Sequence, residues 1–177
     1  MPDLATLPGG TSVFVDTNIL HYHFEGRSVT CTDFITRIAV GDIEAYVNVQ
    51  VLSDLLHKLM FAEARRKQYV KSSNPQEFKK FLKGQRGQPW LLTDYQQQFE
   101  DILALGLHVL PITEKLLVET RYERETYCLM TGDSLHVGSM NRRVLGRRKY
   151  PLRDIVTHDG DFATIPDLTV WQPGDVV

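Results

Sequence analysis

Cysteine is scarce: Cys31 and Cys128 are the only two in 177 residues. They lack paired metal-ligand spacing, and both fall in apolar, helical-looking stretches, which predicts buried free thiols. Long hydrophobic runs are missing too. No stretch approaches the roughly 20 apolar residues that span a bilayer. Met1 to Gly10, with Asp3 and two prolines, lacks the basic start and apolar run of a signal peptide, so a cytoplasmic location is expected. There is no excess of one charge. The formal net charge is −2, so binding to nucleic acid would need a local basic patch. Internal repeats and low-complexity tracts are also absent. What is present is ordinary globular composition, with 42% hydrophobic and 24% charged residues. One domain over residues 1–177 is expected at this length.

Hydrophobic patterning alternates between strand and helix. Ser12-Val-Phe-Val15 is a β-branched and aromatic run stopped by Asp16, and a helical pattern begins at Ile19. A second helix is expected over Thr30 to Val40, ending at Gly41, followed by a strand at Glu44-Ala-Tyr-Val47. From Val49 on, Leu52, Leu55, Leu56 and Leu59 repeat with helical spacing, and Asp54 lies near the start of that helix, in its first turn. Between about Glu63 and Trp90 the chain turns basic, with Arg65-Arg-Lys67, Lys71, Lys79-Lys80 and Arg86 and few large apolar residues. It reads as a partly helical excursion on the surface. A helix from about Leu91 to Leu105, a strand at Leu107 to Leu110, a helix started by Thr113, a helix after Asp133 and strands near Ile155-Val156 and Leu168-Thr-Val170 complete the chain. This order predicts an α/β fold, a three-layer α/β/α sandwich around a mainly parallel sheet.

In such sheets ligands sit beyond the carboxyl ends of the strands. Asp16 follows its strand directly, and Asp159 follows Ile155-Val-Thr157, so two carboxylates distant in sequence are expected on one rim. Asp54 and Asp133, each read as lying in a first helical turn, can reach the same rim. Taken singly, each acid has an ordinary explanation. Asp16 could cap a helix, Asp54 and Asp133 could complement helix dipoles, and Asp159-Gly-Asp161 could form a tight turn. Together they pose an electrostatic conflict, because neighbouring carboxylates repel. A divalent cation resolves it, and an all-oxygen donor set suits Mg2+ or Mn2+ rather than zinc. Thr17, Asn18, Thr157 and Asp161 are the polar companions.

Four segments resemble the PIN-domain ribonucleases, a family that includes the VapC-like toxins of toxin–antitoxin pairs. They are Val13-Phe-Val-Asp-Thr-Asn-Ile-Leu20, Val51-Leu-Ser-Asp-Leu-Leu-His57, Thr131-Gly-Asp-Ser-Leu-His136 and Ile155-Val-Thr-His-Asp-Gly-Asp-Phe162. The resemblance implies a PIN-like fold and a metal-dependent endoribonuclease, with metal held directly or through water by Asp16, Asp54, Asp133 and Asp159 and with Asp161 as an auxiliary. Asp54 is one methylene shorter than the Glu more often carried in the second motif, which leaves direct or water-bridged ligation open. Asn18 and Thr157 are expected to support the acids. An RNA substrate, a small antitoxin and a homodimer are the implied partners. The family implies no purpose for the basic excursion.

Other residues have weaker claims. Arg142, Arg143, Arg147, Arg148, Lys149 and Arg153 form a basic run after the third motif, either a solvated helix end or a phosphate-binding flank. His57 and His136 lie three residues after a proposed acid and are expected to pack or support rather than ligate, and His158 to point to the other side of its strand. Trp90 and Trp171 are expected to pack. A haloacid-dehalogenase-type phosphatase would want a second Asp where Asn18 stands. The remaining rival is a catalytically idle PIN-like module that binds RNA or protein.

Overall fold

In the computed structural model the described residues are 1–72, 74–142, 144–145, 148–149 and 151–176. Strand β1 (Ser12–Val15) leads into helix α1 (Thr17–Glu25), which ends at Gly26 in the left-handed region at φ 64°. Glycine meets no Cβ clash there. Helix α2 (Val29–Ala39) and strand β2 (Glu44–Asn48) follow. Helix α3 (Val49–Arg66) is capped by Asn48, whose Oδ1 accepts from the Val51 amide. Then come α4 (Pro75–Gly84), α5 (Asp94–Leu103), β3 (His108–Leu110), α6 (Glu114–Glu119), α7 (Arg121–Tyr127) and α8 (Thr131–Asn141). A short antiparallel pair, β4 (Val144–Leu145) and β5 (Arg148–Lys149), precedes β6 (Asp154–Val156) and β7 (Thr169–Trp171).

The central sheet has five parallel strands in the order β3-β2-β1-β6-β7. The chain steps outward from β1 to β2 and β3 in one direction, and from β6 to β7 in the other. The order therefore reverses between β1 and β6, which opens a crevice at the carboxyl ends of those two strands. β1 is buried on both faces, with Val13, Phe14 and Val15 inaccessible to solvent, as a central strand covered on both sides requires. This is the expected α/β/α arrangement, and no helix among the described residues is long and apolar enough to cross a membrane.

Two expectations need correction and one gains detail. The stretch from Glu63 to Trp90 is helical over α4, with its cations exposed and its inner side anchored by apolar residues. Its first residues complete α3, and Phe78 on α4 joins Ala64, Val70 and Leu92 in a second apolar cluster, flanked by Met60, Phe61 and Phe81. The next helix starts at Asp94 rather than Leu91. Its cap residue Thr93 makes no side-chain capping bond, because the amides of Thr93, Asp94 and Tyr95 donate instead to the carboxylate of Glu63 at 2.7–3.0 Å. Finally, Cys31 is buried but Cys128 is exposed, in the left-handed region at the end of α7.

Candidate functional site

The crevice between β1 and β6 is where the acids meet. Asp16 is the first residue past β1 and caps α1, with Oδ1 accepting the Thr17 amide at 2.5 Å. The capping explanation is therefore true, yet it uses only one oxygen. Oδ2 accepts from the Thr157 hydroxyl and from Asn18 Nδ2, each at 2.6 Å. Thr157, the first residue past β6, is fully buried. Its Oγ1 also accepts from Asn18 Nδ2 at 3.1 Å and from the Asp159 amide at 3.0 Å. Asn18 Oδ1 closes the net by accepting the His158 amide at 3.2 Å. Asn18 and Thr157 thus tie the ends of β1 and β6 into one polar net.

Asp159 caps a single 3-10 turn, Gly160–Thr164, through its bond to the Asp161 amide at 2.9 Å. That turn brings Asp161 back toward α8. Asp133, in the first turn of α8, completes a group in which Asp133, Asp159 and Asp161 each offer a carboxylate oxygen and these oxygens all lie within 4.8 Å of one another. Burial and then the charges of Asp159, Asp16, Asp161 and Asp54 push the Asp133 carboxyl up to about 6. All five sequence-selected acids therefore act on one point.

Asp54 is carried by α3. It sits in the second turn of α3, not the first, because α3 begins at Val49, and its Oδ1 accepts from Gln50 Nε2 at 2.9 Å. It lies outside the close group of three.

Behind the acids, His136 is buried, with rings of Phe14 at 5.3 Å and Phe162 at 6.5 Å. Its Nδ1 faces Asn48 Nδ2 at 3.2 Å and its Nε2 faces Asp16 Oδ1 at 4.0 Å. An amide NH2 can only donate, so Nδ1 accepts and the ring proton sits on Nε2, toward Asp16. Burial lowers the His136 pKa despite the nearby charges of Asp16 and Asp54, which keeps the ring neutral. Asn48 was not singled out in the sequence. It is fully buried, caps α3 and contacts Ser139 Oγ at 3.2 Å, joining β2 to α8. An Asn placed just before an apolar helical run is a capping signal that could have marked it.

The other residues sit away from the acids or at their margin. His57 packs edge-on against Phe78, and His158 Nδ1 meets the Tyr22 hydroxyl at 3.3 Å. Arg142 is engaged by Glu119 and Glu123 at 3.1 and 2.8 Å. Arg143 and Arg147 lie outside the described residues, and Arg148 is described only as part of the β5 backbone. Trp171 Nε1 donates to Asp154, while Trp90 is exposed.

The donor set fits a hard divalent cation: it is all carboxylate and closely spaced, and burial followed by like charge holds one carboxyl well above its usual range. No protein-family model and no curated protein matches the sequence. Solved structures do match in fold. One is the crystal structure of VapBC2 from Rickettsia felis bound to a DNA fragment from their promoter, at TM-score 0.54 and 16% identity, covering 92% of this chain and 98% of that one. Another is a toxin-antitoxin complex from Klebsiella pneumoniae, at TM-score 0.51 and 16% identity, covering 89% and 95%. The fold is PIN-like, shared with chains of toxin–antitoxin assemblies.

Proposed function

We propose that this chain is a Mg2+- or Mn2+-dependent endoribonuclease and the toxin of a toxin–antitoxin pair, working in the cytoplasm. The observation that carries the reading is the convergence of Asp133, Asp159 and Asp161, with Asp16 behind them, at the reversal point of a parallel sheet. A bound divalent cation there supplies water activation and charge stabilisation for phosphodiester hydrolysis.

The protein's own part is positioning. Asp133, Asp159 and Asp161 would hold the ion, and Asp16 would join them with a geometry fixed by Thr17, Asn18 and Thr157. Asp54 would act through water, since Gln50 holds one of its oxygens. His136, neutral and buried, packs beside Asp16 with its Nε2 4.0 Å from Asp16 Oδ1. Arg143, Arg147 and Arg148 would flank the phosphates, with Arg142 bracing that flank through Glu119 and Glu123. A small antitoxin would cover the acidic rim, and a homodimer is the expected state.

The test is incubation of single-stranded and structured RNA with the protein in Mg2+, Mn2+ or chelator, beside Asp16→Asn and Asp133→Asn. Cleavage that needs metal and is lost in both variants supports the reading. Cleavage that persists unchanged in both contradicts it. RNA binding with no turnover in any metal would favour the idle module.

A further inference from the structure

Among the described residues, helix α4 and the turn after it carry four cations with no ion pair. Among the described residues elsewhere, Arg37 is matched by Asp42, Arg66 by Asp94, Lys115 by Glu119, Arg121 by Glu125 and Arg142 by Glu119 and Glu123, while Arg65, Lys71 and Arg153 are exposed singly without an ion pair. Lys79, Lys80, Lys83 and Arg86 are all exposed, and among the described residues none of them has a carboxylate oxygen within the 4.0 Å of an ion pair. The one acid on the helix, Glu77, is occupied by the amides of Lys71 and Ser72 and the Ser72 hydroxyl. Lys79 and Lys83, four residues apart, share one side of α4, and Arg86 lies in the turn that follows the helix.

The helix is anchored to α3 on its inner side. Asn74 caps α4, Pro75 opens it, and Phe78 anchors its inner side. Phe78 lies against the rings of His57 and Phe61 on α3, centroids 5.9 and 5.0 Å away. His57 is less than one helical turn from Asp54. Beyond the helix, Trp90 is 45% exposed, and Tyr69, stacked on Phe81, is 39% exposed. A row of cations with flat aromatic surface nearby is the combination that tracks a single-stranded nucleic acid, phosphates on the cations and bases on the rings.

We infer that α4 and the turn after it form a docking surface for single-stranded RNA, gripping substrate through Lys79, Lys80, Lys83 and Arg86. This rests on the ribonuclease reading for the identity of its ligand, but it can be tested without hydrolysis. The measurement is the fluorescence anisotropy of labelled single-stranded RNA, about 20 nucleotides long, with the full chain in chelator, as a function of salt. Combined Lys79→Gln, Lys80→Gln, Lys83→Gln and Arg86→Gln should weaken binding by about tenfold or more and reduce the slope of log K against log salt by about 3, at ~0.7 per phosphate contact. The control, Lys115→Gln with Arg121→Gln, should shift affinity by less than about twofold, since those cations are already paired. Because the four side chains are exposed, the thermal midpoint should stay within about 2 °C.

An unchanged salt slope, or an equal loss in the control, overturns the assignment. So does loss of polyglutamate binding with RNA affinity intact, which would make α4 a surface for an acidic protein. Failure of the wild-type protein to cleave RNA in any metal, with α4-dependent binding retained, would end the nuclease reading and leave this one standing.

Discussion

Asp133 at the rim and Glu63 at the junction of α3 with α5 are both carboxylates drawn out of water, and their surroundings treat them in opposite ways. Around Glu63, burial works against the charge. Lys67 Nζ at 2.6 Å and the amides of Tyr95, Thr93 and Asp94 outweigh it, holding the carboxyl below its usual range. Around Asp133 burial is joined by like charges, and the carboxyl rises to about 6. A structural carboxylate is wrapped in donors. Asp133 is left in conflict, as the proposed cation site requires, and the fold bears the cost.

The sharpest way to break this contrast is Asp133→Asn. It removes a carboxylate from the close group, so several kcal/mol of charge stabilisation should be lost and RNA hydrolysis should fall about 10³-fold, read by single-turnover cleavage. In chelator the same variant should be more stable than wild type, because repulsion has been relieved. Glu63→Gln should do the reverse. Stability should drop by about 3 kcal/mol in denaturant unfolding, since charge-assisted bonds to three amides are lost with one acceptor replaced. Cleavage by the folded fraction should change little.

Thr157→Val takes away the hydroxyl that holds Asp16 and accepts from the Asp159 amide. Activity or metal affinity should fall by about 10- to 100-fold with little loss of fold. The smallest effect is in pH. Asp133 has a folded pKa raised above its unfolded value, so its repulsion is absent at low pH and develops as pH rises through about 6. The extra stability of Asp133→Asn in chelator should therefore vanish between pH 7 and about 4. Glu63 has a folded pKa below its unfolded value of about 4.3, so its contribution is present above that pH and lost as pH falls through the folded pKa. The deficit of Glu63→Gln should hold to about pH 4 and shrink only below it. Parallel pH profiles for the two variants would erase the distinction between the sites.

Legibility in the sequence followed the range of the interactions. β1, β2 and β3, the cap at Thr113 and the Gly41 stop rest on neighbours within a few residues, and their periodicity was readable. Asp16 and Asp159 could be placed on one rim because each follows its strand closely. The Glu63 clamp was hidden because its partners are about 30 residues away and a Glu at the end of an amphipathic helix looks solvated. Phe78 was hidden for the same reason: one aromatic in a basic stretch shows no core until Ala64, Val70 and Leu92 gather around it. Asp54 is the sixth residue of α3, so counting 3.6 residues per turn from Val49 puts it in the second turn, one beyond the turn its motif suggests.

The central claim is that the rim's repulsion exists to be answered by a divalent cation. Titration of Mn2+ into the metal-free protein at pH 7, by calorimetry and by thermal midpoint, addresses it directly. The account predicts saturable binding that raises the midpoint of the wild type and is lost in Asp133→Asn, with Glu63→Gln still binding. Absence of binding, or binding and stabilisation unchanged in Asp133→Asn, would contradict it.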